Sequence, residues 1–185
     1  MKKSVSKVYL KEARNTVGRV KSPDYLRELV ERKKRVTDNS EISVFVSYDS
    51  GDEETMLSVL LLLDSAGVKI CPVLSGSLGA SGRGSDKDDS VRNNIARCSK
   101  LVFIASDNAM RSPRCNWELG IGDGLMTPAN TAIMPVTEQR GATWSCPDHL
   151  LSYPMLVTDN DFFIGEFFIE SMDRKISLTE WLRQR

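Results

Sequence analysis

From residue 42 onward, short runs rich in β-branched and aromatic residues alternate with longer segments whose apolar positions recur at helical spacing. That alternation predicts a parallel sheet covered by helices on both faces. The strands fall at Ile42 to Ser47, Val68 to Cys71, Leu101 to Ala105, Thr131 to Val136 and Met155 to Val157. Between the first two lies the clearest helix. Asp52 stands at its N-cap, Glu53 and Glu54 in its first turn, and Gly67 just past its end. Its apolar positions run almost all round, which predicts burial on more than one side. Further helices are expected over Asp88 to Arg97, Asn116 to Leu125 and Ile176 to Arg183. The expected fold class is α/β, a flavodoxin-like five-stranded parallel sheet. In such sheets ligands bind beyond the carboxyl ends of the strands, near the point where strand order reverses.

Residues 1–21 show little periodicity. Ser22-Pro23-Asp24 then supplies an N-cap, a proline at the first helical position and an early acid, predicting a short helix. Tyr25, Leu26, Leu29 and Val30 share one face, and Arg32 to Arg35 place cations near its C-terminus. The polar cluster Thr37-Asp38-Asn39-Ser40 separates this helix from the first strand signal. The chain is therefore divided into a basic N-terminal arm, residues 1–40, and an α/β domain, residues 41–185. Charge sharpens the division. The arm carries 12 Lys/Arg against 5 Asp/Glu, and the body 13 against 20, although the whole chain is neutral. The arm is expected to dock on an acidic surface of its own or a neighbouring chain; nucleic acid or anionic lipid is the rival for those cations and is not the expected partner.

Hydrophobic and charged fractions of 41% and 27% suit a globular domain in water. The longest apolar run, Met56 to Leu63, falls well short of the ~18 residues a membrane span needs. No apolar segment follows the basic N-terminus as a secretory signal would, so a cytoplasmic location is expected. Cys71, Cys98, Cys115 and Cys146 are widely spaced and the single histidine is His149, which argues against a zinc site or a His-based nucleophile system. Cys71 and Cys98 read as small core residues. The glycines between Ser75 and Ser85 form neither a dinucleotide fingerprint nor a phosphate loop, leaving Arg83 as the candidate phosphate contact there. Gly120-Ile121-Gly122-Asp123-Gly124 lacks a preceding strand and reads as close helix packing, or a helix broken early. Trp144 and Trp181 read as packing residues.

Two stretches carry the candidate chemistry. In Val44-Phe45-Val46-Ser47-Tyr48-Asp49-Ser50-Gly51-Asp52 a buried strand runs into a capped helix; Ser112-Pro113-Arg114-Cys115-Asn116-Trp117-Glu118 follows the strand Leu101 to Ala105 and places a carboxylate near the start of the helix expected from Asn116. Phe45, Ser47, Tyr48 and Asp52 resemble the opening motif of Toll/interleukin-1 receptor homology (TIR) domains. Ser112, Cys115 and Glu118 match in spacing the motif that supplies the catalytic glutamate of enzymatic TIR domains, and the resemblance spans roughly residues 42–157. Arg114 stands where that family usually has tryptophan, while Trp117, directly before the glutamate, offers an aromatic wall.

The resemblance implies a bacterial-type TIR enzyme that cleaves the nicotinamide–ribose bond of NAD, by hydrolysis or by cyclisation to a cyclic ADP-ribose signal in antiphage defence. Glu118 would be its catalytic residue, with Ser47, Tyr48, Asp49, Arg83, Ser112 and Trp117 around the substrate. NAD would be substrate, with no cofactor, no metal and no membrane partner. Self-association through TIR–TIR contacts and a downstream effector would follow. The alternative is a non-enzymatic TIR interaction module, which the Arg114 departure favours; a deoxyribosyltransferase-like enzyme shares the fold type but not the two motifs.

Overall fold

A computed structural model describes residues 4–18, 42–66, 70–74, 85–145, 147–160 and 166–184. The helix expected from Asp24, the boundary at 37–40, the glycine-rich loop with Arg83, and the side chains of Cys71 and Cys146 lie outside what is described.

The strands are β1 (Val5–Ser6), β2 (Ile42–Ser47), β3 (Ile70–Leu74), β4 (Lys100–Ala105), β5 (Thr131–Thr137), β6 (Met155–Thr158), β7 (Phe167–Glu170) and β8 (Lys175–Ser177). The helices are α1 (Lys7–Gly18), α2 (Glu53–Ser65), α3 (Ser85–Ala96), α4 (Asp107–Arg111), α5 (Pro113–Leu125) and α6 (Leu178–Arg183). Seven strands run in the order β3-β2-β4-β5-β6-β7-β8, and β1 pairs with β5 off that path. Pairing is parallel from β3 to β6 and antiparallel in β6–β7 and β7–β8. The protein is thus an α/β protein with a mostly parallel sheet, and the expected count of five strands was too low.

Alternation along the strands separates two cores. Val44 and Val46 pack with α1, α2 and α6 in one cluster. Phe45, Leu101 and Phe103 pack with α3, α4 and α5 in the other. Each fully buried aliphatic or aromatic side chain contributes about 1.5–3 kcal/mol, so these two layers carry the fold. Where α5 crosses β4, a Cβ at Gly122 would run into Leu101, whereas Gly120 and Gly124 face open space. The close approach therefore accounts for Gly122, and the helix runs unbroken through all three glycines.

Residues 5–18, assigned to the arm by sequence, are part of the α/β body. β1 lies parallel to β5 through Val5↔Val136 and Ser6↔Thr137, and Val5, Tyr9 and Leu10 are buried in the first core. The local signal was weak because α1 has no acid in its first turn, and Lys7 sits where the helix dipole disfavours a cation. Tertiary contacts outweigh that local penalty.

Three boundaries also differ from expectation. The second strand extends through Pro72, which is tolerated because β3 is an edge strand. The β7–β8 hairpin was not foreseen; it turns with the Ser171 N–H donating to the Arg174 carbonyl at 2.8 Å. Ile176 ends up in β8, and α6 starts at Leu178 under a Ser177 cap that accepts from the Glu180 N–H. Trp144 and Trp181 are buried as packing residues, their indoles donating to the Ala105 and Ala129 carbonyls. No helix among the described residues is long and apolar enough to cross a membrane.

Candidate functional site

Two buried carboxylates sit at the carboxyl ends of the central strands, one on each side of the sheet. Ser47 is the last residue of β2 and shares its facing with Phe45, towards α5. Pro113 opens α5 at a position where its missing N–H costs nothing. One and a half turns later the helix delivers Glu118, which is fully buried. Ser47 Oγ donates to Glu118 Oε2 at 2.7 Å, and Arg114 Nε donates to Oε1 at 3.0 Å from four residues earlier on the helix. The Arg114 side chain is 42% exposed while that of Glu118 is wholly enclosed. The two motifs picked out by sequence are thus joined by a direct hydrogen bond between side chains 71 positions apart.

Cys115 belongs to the same cluster. Burial pushes its thiol up to about 11, while a hydrogen bond with Ser112 acts in the opposite direction. At neutral pH it is a protonated packing group and not a nucleophile. Ser112 occupies the N-cap position of α5 and makes no capping bond with its side chain; Asn116 donates to its carbonyl.

The other proposed site residues are distributed more widely. Tyr48 packs in the core on the α1/α2 side, 5% exposed. Burial first, then the charges of Glu53 and Glu118, raise its pKa. Asp49 caps the short turn after β2 by accepting from the Gly51 N–H. Trp117 packs beside the second core with the Arg92 guanidinium 5.6 Å from its ring centroid, so its aromatic face is already engaged.

The second carboxylate, Asp52, stands at the N-cap position of α2 but makes no capping bond. It accepts instead from Ser106 Oγ at 2.5 Å and from Asn108 Nδ2 at 3.4 Å, and pairs with Lys7 Nζ at 2.7 Å. Lys7 also pairs with Glu138 at 2.7 Å. Burial opposes the charge on Lys7, but its two acidic partners outweigh that and raise its pKa. Sequence reading missed Lys7, Asn108 and Glu138 as partners of Asp52, and no local pattern points to them. The Arg114–Glu118 pair was legible, since four residues is the spacing at which opposite charges meet on a helix.

No protein-family model and no curated protein matches this chain.

Proposed function

We propose that this chain is a TIR-like enzyme that cleaves the nicotinamide–ribose bond of NAD, with Glu118 as its catalytic carboxylate. The supporting observation is the 2.7 Å Ser47–Glu118 hydrogen bond, which unites the two motifs at the carboxyl end of β2. In the parallel segment β3-β2-β4-β5-β6 the chain order reverses at β2, the flavodoxin-like arrangement in which ligands bind at that switch.

The chemistry asks little of the protein. Nicotinamide leaves as a neutral base with the electron pair of the C–N bond, so no general acid is required. The ribosyl carbon left behind is oxocarbenium-like. Glu118 stabilises that developing positive charge and holds the ribose hydroxyls, the electrostatic role that usually contributes most in such sites. Water then adds to the ribosyl carbon and releases a proton to solvent, or an atom of the same ADP-ribose adds and closes a ring. Arg114 must release Oε1 for the substrate to approach, and its half-exposed guanidinium can turn to the diphosphate instead. An antiphage signalling role and TIR–TIR self-association follow from the resemblance.

A non-enzymatic interaction module is the second reading, and the Arg114–Glu118 ion pair favours it because it keeps the carboxylate neutralised. Incubating the purified full chain with NAD and resolving the products by chromatography separates the two. Nicotinamide release that disappears in Glu118→Gln supports the enzyme. A concentrated parent protein that leaves NAD intact supports the module.

A further inference from the structure

The proposed reaction asks Glu118 to stabilise positive charge, and in the resting chain a positive charge already stands against it. Arg114 lies four residues earlier on α5, the spacing at which a helix brings two side chains together. Its Nε donates to Glu118 Oε1 at 3.0 Å, while Ser47 from β2 holds Oε2 at 2.7 Å. One oxygen is therefore tied to the sheet and the other is covered by a guanidinium. The Glu118 side chain is enclosed and that of Arg114 is half-exposed, so the way from solvent to Oε1 leads past that guanidinium.

The guanidinium and the reacting ribose are alike in the property that such a carboxylate recognises. A guanidinium is planar and spreads one positive charge over several atoms. The ribosyl centre left by departing nicotinamide is likewise flat at the reacting carbon and shares its charge with the ring oxygen. Oε1 cannot hold both at short range. An exposed pair at this spacing would contribute little, but here one partner is enclosed, and separating the pair strips a buried charge of its cation. Substrate binding has to offset that cost. NAD then meets a competent site only in the fraction of molecules whose Arg114 has moved aside, and its apparent affinity drops by that fraction. A later contact between the displaced guanidinium and the diphosphate contributes less, because it forms at a half-exposed side chain. We propose, resting on the reading of Glu118 as the carboxylate that cleaves NAD, that Arg114 is an autoinhibitory group. In the resting chain its guanidinium occupies the place that the cationic ribosyl centre takes during turnover.

Steady-state nicotinamide release from NAD, measured for the full chain and for Arg114→Ala, Arg114→Gln and Arg114→Lys, tests this. Removing the cation is expected to improve the enzyme at low NAD: Arg114→Ala and Arg114→Gln should lower KM about tenfold, with kcat within about twofold of the parent. Arg114→Lys keeps a cation within reach and should stay near the parent. Methylguanidinium chloride at millimolar concentration supplies the missing group from solution. It should inhibit Arg114→Ala in competition with NAD and leave the parent, whose place is filled, unaffected, with sodium chloride at equal ionic strength as the control. Circular dichroism melts establish that each variant is folded at the assay temperature. The inhibition alone is overturned if the parent cleaves NAD and both Arg114→Ala and Arg114→Gln do so with KM unchanged or raised. It is overturned equally by methylguanidinium acting alike on the parent and on Arg114→Ala. If neither the parent nor any Arg114 variant releases nicotinamide, the proposed activity falls and the inhibition falls with it.

Discussion

Glu118 and Asp52 are both carboxylates with fully enclosed side chains at the same end of the sheet, yet they are held in different ways. Asp52 is fixed by Ser106 from the end of β4 and by Lys7 from α1, and Lys7 reaches on to Glu138 beyond β5. Three separate pieces of chain meet at that carboxylate. Glu118 accepts from Ser47 across the fold and, on its own helix, from the half-exposed Arg114. A carboxylate tied from several elements works as a structural fastener, because moving it would leave several buried polar groups unpaired. A carboxylate with one partner that can swing into solvent can be uncovered at lower cost. That difference suits Asp52 to a structural role and leaves Glu118 available for the chemistry proposed for it.

The largest effect expected is on the fastener. Asp52→Ala should lower unfolding free energy by about 3 kcal/mol, the cost of breaking a buried pair by removing one partner. Denaturant titration reads this directly, and a midpoint equal to the parent's would undo the structural role given to Asp52. Next in size, Glu118→Gln keeps an oxygen for Ser47 to donate to, so it should melt close to the parent while nicotinamide release from NAD slows by on the order of 100-fold. If this variant loses stability like Asp52→Ala and keeps its rate, the two carboxylates do not differ as argued.

The smallest effect concerns a buried charge that has no carboxylate beside it among the described residues. Lys100, 1% exposed, donates to Asn130 Oδ1 at 2.5 Å and lies 4.9 Å from the Trp181 ring centroid. Burial brings its pKa down from 10.5 to about 8. The folded value lies below the unfolded one, so between these limits the unfolded chain binds more protons and stability rises with pH. Relative to Lys100→Met, the parent should gain on the order of 1 kcal/mol from about pH 8 to pH 10. Denaturant midpoints of the two proteins that run parallel across that window would show that Lys100 is not perturbed by its burial, and would leave the contrast between the two carboxylates to rest on ion pairing alone.

The sequence by itself determined the central parallel strands, because their runs of Val, Ile, Phe and Leu must be buried on both faces whatever surrounds them. It also placed α2 from its terminal acids and apolar positions and α5 with a start three residues late, and it singled out Ser47 and Glu118 as candidates, although not that their side chains touch. What it could not carry was any feature whose stability comes from distant groups. β1 has two residues and α1 lacks an acid at its start; both exist because Val5, Tyr9 and Leu10 find an apolar surface and Lys7 finds Asp52 and Glu138. Asp52 looked like a cap because its local sequence is that of a cap, and only the approach of Lys7 and Ser106 turned its carboxylate to another use. Tyr48 ends a strand on the side where ligands usually bind, and only the packing of α1 and α2 shows that it is also buried in the first core. A cavity between α1, α2 and α6, lined in part by Arg14, is likewise a product of how those helices meet. Local propensity acts over a few neighbouring residues, whereas burial, ion pairing and cavity shape depend on groups that only folding brings together.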